Sequence, residues 1–413
     1  MITIFTKYNI KEILLIILPF LVFYKFYNFR PIVEMSSYNS FLIVLNLLFL
    51  VLIFSCLNKK YSKDSLSLSI KYVLLIIVLN IIPSFLVSGQ SLYYSLRGST
   101  YGFSLCMYFW FVYHKISSRS VVQAFLIILI SYIVLHLLAL STFPNHLFGY
   151  NENLIDRAES DMVIRGVVRI GVPGQDFVIL AIFVVLNLSR VNKKYLLFLI
   201  PLFVMLILRG TRTPLIITII LSLFYLVWKC KYKILVIIAC CLSYVIIPII
   251  YDSIKNSNSE NIIVNYVQMT DEQLNSEDED IRIKMSKYYL FDFNDNILAV
   301  LIGNGVPQGN SNYEYRVLKN SYNNAYYLSD VGIVQIYVYY GILGLIAYLL
   351  LLIKILRTKV DPKYEFAKLF VMYYYLTLFS GNYLVQNAFY LAFGLYLMEI
   401  NRINRIKTIS KHY

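Results

Sequence analysis

The sequence predicts an all-α polytopic membrane protein with about twelve transmembrane helices and a large outer loop before the last three. Three observations predict it. Of the 413 residues, 59% are apolar and only 15% charged, against roughly 45–50% and about 25% in a soluble domain. The mean hydropathy of +0.65 excludes an ordinary soluble enzyme and a disordered chain. The apolar residues fall into stretches close to the roughly 20 residues that a bilayer crossing needs, and the charges between those stretches sort by side.

Taken in order, the stretches are 10–26, 38–57, 68–88, 99–113, 121–141, 174–189, 195–209, 213–228, 233–251, 331–353, 366–381 and 384–400. The first has no small-residue cleavage site behind it and reads as an anchor rather than a signal peptide. The seventh and eighth are separated only by Arg209-Gly210-Thr211-Arg212. Fused into one helix they would overshoot the membrane by about 20 Å at 1.5 Å per residue, so they read as two. The chain divides into 1–251, carrying nine helices and the outer loop 142–173, then the large outer loop 252–330, then 331–413 with three helices and a tail.

Placing the N-terminus in the cytoplasm puts 23 Lys and Arg with 5 Asp and Glu inside, and 14 with 18 outside. The short turns Asn58–Asp64, Arg190–Lys194, Lys229–Lys233 and Arg402–Lys411 are all basic. This positive-inside pattern puts both termini in the cytoplasm. The net charge of +14 is therefore a topology signal spread over short turns, which argues against a nucleic-acid partner. The five cysteines have no metal-ligand spacing, and neither a disulfide framework nor a metal site is expected.

The cations differ in kind as well as number. Inside, 18 of 23 are Lys; outside, 9 of 14 are Arg. Lys suffices for topology, whereas the planar Arg fork grips phosphate or carboxylate oxygens in pairs. An outer face rich in Arg points to an anionic substrate, with pairing to outer carboxylates as the alternative.

Two outer loops are long, and length without structure of its own points to function or a folded cap. In the larger one an acidic stretch, Thr270–Asp280, precedes a run in which Ile281, Met285 and Tyr288 or Tyr289 recur at helical spacing. That run predicts an interfacial helix. The stretch Ile297–Ile302 is apolar but too short to span, and Gly303-Asn304-Gly305 follows it. A buried hairpin, turning tightly at Gly303 and Gly305, fits there.

Arg209 and Arg212 sit between two apolar helices. An ionised Arg at membrane depth marks a substrate path, an internal pair or an interfacial snorkel. Pro214 suits the first turn of the following helix, whose amides add partial positive charge to the same place. The shorter outer loop adds Arg157, Arg165 and Arg169.

Together these residues resemble the O-antigen polymerase and ligase superfamily, specifically a Wzy-type polymerase of O-antigen or capsular polysaccharide. The matching positions are Arg209, Arg212, Arg282, Gly303, Gly305, Asn323, Asn324, Tyr326, Asp330 and Gly332, with Gly341 and Gly344 beyond. By layout the resemblance covers most of the chain. It implies a membrane glycosyltransferase that joins undecaprenyl-pyrophosphate-linked oligosaccharide repeat units on the outer face of the inner membrane, with no cofactor and no metal. Implied partners are the lipid-linked glycan donor and acceptor, membrane lipids, a Wzz-type chain-length regulator and a flippase. Arg209, Arg212 and Arg282 would stabilise the departing diphosphate. Arg157, Arg165, Arg169, Gly303, Gly305, Asn323, Asn324 and Tyr326 would line the substrate site. Asp330 is the candidate base, unless it serves as a helix N-cap. Tyr322, Tyr326 and Tyr327 suit sugar stacking or an interfacial belt. Ligase-type relatives carry a His-Asn pair late in the long loop, where this chain reads Ser321-Tyr322-Asn323-Asn324-Ala325-Tyr326-Tyr327. The missing His disfavours a ligase. A flippase for the same lipid is the other alternative.

Overall fold

The computed structural model describes residues 9–35, 38–57, 65–143, 147–149, 163–164, 167–168, 170–229, 281–294, 296–309 and 311–409. Apart from one antiparallel pair, Val163–Ile164 with Val167–Val168, the regular structure of these residues is helical. The principal helices are α1 (Ile10–Phe23), α2 (Tyr38–Leu57), α3 (Ser67–Leu86, with a turn at Asn80), α4 (Met107–His114), α5 (Ser118–Ser141), α6 (Asp176–Leu188), α7 (Leu199–Leu208) and α8 (Arg212–Lys229). Then come α9 (Ile281–Lys287), α10 (Ile297–Ile302), α11 (Asn312–Asn324), α12 (Gly332–Arg357), α13 (Glu365–Thr377) and α14 (Ala388–Ile409).

The expected apolar stretches fall on helices, except 233–251, which lies outside the described residues. Among the described residues three helices are long and apolar enough to cross a membrane, namely α3, α5 and α12. Others are apolar but shorter, including Ser40–Cys56, Asp176–Leu188, Arg212–Val227 and Ala388–Ile400. The fold is thus an all-α integral membrane architecture, with three spans fixed by length and composition.

Burial runs opposite to that of a soluble protein. On α5, Ile127, Ile130, Val134, Leu137 and Leu138 are exposed, while Tyr132 and His136 are buried. On α2, Val44, Leu47, Leu48, Val51 and Phe54 are exposed and Asn46 is buried. Contiguous apolar faces of this kind need a non-aqueous surround, and polar side chains turned inward are what lipid demands.

The chain forms two compact units. The first comprises 1–27, 31–130 and 280–413; the second comprises 28–30 and 131–279. In the first, α12 packs on α3 and α10, and α14 on α4 and α13. Its core is aromatic, with Tyr108, Tyr340, Tyr373, Tyr374, Tyr390 and Tyr396 fully buried. In the second unit, α6, α7 and α8 pack together, and the Tyr225 hydroxyl on α8 donates to Asn187 Oδ1 on α6 at 2.8 Å.

The helix expected from 281 onward forms, but it is short and runs into a π turn at Tyr288–Asp292. Its apolar side is filled by protein: Met285, Tyr289 and Phe293 pack with Tyr313, Val317, Leu328, Val331 and Tyr337. Ile281 stays exposed. The acidic stretch before it lies outside the described residues.

Candidate active site

The first unit carries a broken helix. At Gly341, φ is +65° and ψ −167°, so α12 loses its regular ladder there. Carbonyls freed inside a buried helix need new donors. The Gly303-Asn304-Gly305 turn supplies them. Asn304 N donates to Val338 O at 2.9 Å and Gly305 N to Tyr339 O at 3.0 Å. The Asn80 side-chain amide completes the set, donating to Tyr339 O at 2.7 Å and to Ile302 O at 2.8 Å. One fully buried amide thus clips the end of α10 to the break in α12.

The expected tight turn is present. Gly303 has φ +89° and Gly305 +82°, a region open to glycine and strained for other residues. A Cβ on Gly303 would overlap the Tyr339 carbonyl, and one on Gly341 would overlap Leu301. The two backbones touch because neither has a side chain. Tyr313 fixes the turn from the other side, its hydroxyl donating to Gly305 O at 2.9 Å. Burial, reinforced by the neighbouring Tyr339 and Tyr289 phenols, pushes the Tyr313 phenol well up, so it acts as a neutral donor.

Beside this turn lies a cavity of about 240 Å³ lined by Ser88, Asn294, Asn296, Asn304, Asn312 and Arg316, with Phe293 and Tyr313. Ser88 donates to Asn304 Oδ1 at 3.2 Å, and Asn304 Nδ2 to Asn294 Oδ1 at 2.6 Å. The Arg316 guanidinium lies 4.4 Å from the Phe293 ring centroid and donates to the Phe293 carbonyl. Amides, a guanidinium and aromatic faces are the chemistry that binds polyhydroxylated rings.

The second unit carries the arginine corner. Arg209 closes α7, Gly210 turns with φ +69°, and Arg212 is the first residue of α8. Arg209 is an internal pair: its Nη1 donates to Asp176 Oδ1 at 2.8 Å, with the two side chains 4% and 0% exposed. Asp176 opens α6, where a carboxylate also complements the helix dipole. Arg212 is half-buried, its Nε and Nη2 shielded from solvent. On α5, the Tyr132 hydroxyl lies 3.5 Å from His136 Nδ1. His136 is fully buried, and its Nε2 has no hydrogen-bond partner among the described residues.

Arg282 is exposed on α9. Asn323 and Asn324 are exposed at the end of α11. Tyr326 is half-buried; its ring lies 5.8 Å from that of Tyr288, and its carbonyl accepts from the Tyr289 hydroxyl at 3.3 Å. Tyr322 and Tyr327 are exposed. Asp330 ends a 3₁₀ turn, exposed, and does not cap α12: Val331 holds the N-cap position without a side-chain bond. Arg157, Arg165 and Arg169 lie outside the described residues. Among the described residues no group of three metal-ligating side chains converges.

Sequence reasoning missed Asp176, Asn80, Asn304 and Arg316. Asp176 and Asn80 had a signal, each being a strongly polar residue within or at the start of an apolar stretch. Asn304 was read only as part of the Gly303-Asn304-Gly305 turn and Arg316 only as one of the outer arginines, because their roles depend on a cavity made by distant segments.

A helical membrane protein with a discontinuous helix, an amide-rich cavity and a buried Arg corner is the class that fold and site define. Within that class, residues 177–349 match the O-antigen ligase family, Wzy_C. The match begins beside Asp176 and takes in Arg209, Arg212, Arg282, the Gly303–Gly305 turn and the break at Gly341. It spans less than half of the chain and supports the O-antigen ligase and polymerase superfamily, whose members are membrane enzymes of surface-polysaccharide synthesis. No curated protein and no solved structure matches the chain.

Proposed function

We propose that the protein polymerises undecaprenyl-pyrophosphate-linked oligosaccharide repeat units into O-antigen or capsular polysaccharide. The reaction takes place on the outer face of the inner membrane, in a bundle of about twelve spans with both termini cytoplasmic. The observation that carries this reading is the family match over 177–349, which spans both the Arg corner and the Gly303–Gly305 turn.

In the reaction, the glycosidic bond between the growing chain and its lipid diphosphate breaks. The diphosphate leaves with the bonding electrons, and a hydroxyl of the incoming lipid-linked unit forms the new bond and loses its proton. Negative charge grows on the leaving oxygen, so cations placed there lower the barrier, each contact contributing about 3–4 kcal/mol. The candidates for that role are Arg212 and Arg282, with Arg165, Arg169 and Arg157 as further candidate contacts. Arg209 acts as a positioning residue, since its guanidinium is tied to Asp176. The amide-rich cavity beside Gly303 and Gly305 holds a sugar ring, with Asn323, Asn324 and Tyr326 contacting the glycan further along. Asp330, exposed at the start of α12, accepts the proton. A chain-length regulator and a flippase of the same pathway are the expected protein partners.

A ligase reading has one observation in its favour, the description of the matching family. The residues 321–327 contain no His, which favours the polymerase. Incubation of purified protein with defined lipid-pyrophosphate repeat units, followed by glycan sizing, separates the readings. A ladder of repeat multiples supports polymerisation. Transfer only to a non-repeat acceptor supports a ligase, and no new bond with intact lipid movement supports a flippase.

A further inference from the structure

Helix α11 carries two apolar faces. Tyr313 and Val317 are buried, in one cluster with Tyr289, Phe293 and the start of α12 at Val331, Val334 and Tyr337. On the opposite side Tyr315, Leu318 and Tyr322 recur at i, i+3 and i+7, which puts them in one stripe along the helix. All three are exposed, Tyr315 by 66% and Tyr322 by 83%. The interfacial helix expected from residue 281 onward has its apolar side filled by protein, whereas α11 has protein on one side only.

The depth of α11 is set by α12. At 1.5 Å per residue the 26 residues of α12 reach at most about 39 Å, close to the thickness of a bilayer with its headgroup layers. The first turns of α12 therefore lie in a headgroup layer, and α11 packs against those turns. Other exposed aromatic rings stand at the same level. Ile333 N donates to Leu378 O at 3.2 Å, which places Phe379, 76% exposed, beside the start of α12. Tyr327, also exposed, lies just before it in the chain. Aromatic side chains gathered at one end of a span mark the boundary between water and lipid.

Tyrosine rings also stack on sugars, but Leu318 stands between the two tyrosines of the stripe and offers a glycan neither a ring nor a hydrogen bond. The boundary between headgroups and acyl chains suits all three side chains. Each phenol keeps its apolar body against the chains and its hydroxyl among the headgroups, and the leucine is immersed. Lys319 is exposed at the edge of the stripe, where its stem lies along the tyrosines and its ammonium reaches the phosphate level.

We propose that α11 lies in the headgroup layer of the bilayer, with Tyr315, Leu318 and Tyr322 dipped into the acyl boundary. Asn312, Tyr313 and Arg316 of the same helix line the amide-rich cavity, so this anchor holds the cavity at the membrane surface whatever chemistry it performs. Quenching of tryptophan by brominated lipid tests it. Full-length Leu318→Trp and Asn323→Trp proteins are reconstituted in phosphatidylcholine vesicles with and without bromine high on the acyl chains, and the signal of the unaltered protein is subtracted. The indole at position 318 should be quenched at least about twofold more than the one at position 323. Equal quenching at the two positions overturns the proposal. So does quenching at 318 that appears only when a lipid-linked oligosaccharide is added, which assigns the stripe to substrate. An unquenched, blue-shifted indole at 318 that shifts to the red as the protein is diluted in the bilayer assigns the stripe to a second copy and overturns it too. A measurement without substitution stands beside these: phosphatidylcholine bearing a diazirine near its glycerol should label Tyr315 and Tyr322 of the unaltered protein, and label confined to the spans overturns the placement.

Discussion

Replacing Asp176 by Asn tests whether the Arg209 pair holds the second unit together. The substitution keeps shape and removes one charge. Arg209 and Asp176 are 4% and 0% exposed and 2.8 Å apart, so neither ion has water to fall back on. Breaking a buried pair by removing one partner costs about 3–5 kcal/mol, because the other charge stays buried without compensation. Replacing both residues with apolar ones of similar size is near neutral, or stabilising by about 1–4 kcal/mol. The expected series is therefore a large loss for Asp176→Asn, a similar loss for Arg209→Met, and recovery in Arg209→Met/Asp176→Leu. Equilibrium unfolding in detergent micelles measures all three. A loss below about 1 kcal/mol in Asp176→Asn, in the range of an exposed pair, would refute the argument from burial. The same cycle assayed for glycan elongation asks what Arg209 does. Activity retained in the refolded double variant confines Arg209 to positioning; activity lost in a stable double variant gives it a direct substrate contact.

Three further outcomes are expected. Asn80→Leu removes one of two donors to Tyr339 O, which keeps Gly305 N, and the side-chain donor to Ile302 O; a buried carbonyl left unsatisfied costs about 1–3 kcal/mol, so the melting temperature should fall, and a fall no larger than for Asn→Leu at an exposed site would show that the clip is dispensable. Gly303→Ala combines a φ of +89° with overlap on the Tyr339 carbonyl, whereas Gly89→Ala meets only strain, since nothing lies within 4 Å of its Cβ. Gly89→Ala should cost about 1–2 kcal/mol and Gly303→Ala clearly more, a ranking read from thermal unfolding of the two proteins and reversed if the turn is loosely held. Arg212→Lys keeps charge but loses the planar fork; it should insert and fold normally yet lose most polymer length on glycan sizing, and full-length glycan would remove Arg212 from the site.

What the sequence made legible was local. Apolar stretches marked the helices because each follows from composition over about 20 residues. Gly303 and Gly305 marked a turn because only their backbone freedom is at issue. The break in α12 was hidden by the same logic: residues 331–353 are apolar but for Gln335, and a hydropathy window reads across Gly341. The register of a cap was also beyond reach. Asp330 stands one residue before the N-cap position that Val331 occupies, too early for its carboxylate to reach the first-turn amides. Least legible were the long-range partners. Asp176 is 33 residues from Arg209, and Asn80 is 222 and 259 residues from the carbonyls it clips. No spacing rule connects such positions.

Polar residues inside apolar stretches are where fold and function are hardest to separate, because burial in lipid makes both expensive. Closure of their hydrogen bonds separates them better than their presence does. Asn80 spends its amide on two carbonyls, Glu399 accepts from a backbone amide and two hydroxyls, and Arg209 meets Asp176. Each has a structural reason to exist. His136 is different: one ring nitrogen faces the Tyr132 hydroxyl, and the other has no hydrogen-bond partner among the described residues. A buried polar atom left unsatisfied carries a cost that packing alone does not return. It belongs to the same compact unit as Arg209 and Asp176, so substitution of His136 is the informative companion to the Asp176 series. A structural residue here would shift stability with Asp176, whereas one reserved for chemistry would leave stability intact and lower elongation alone.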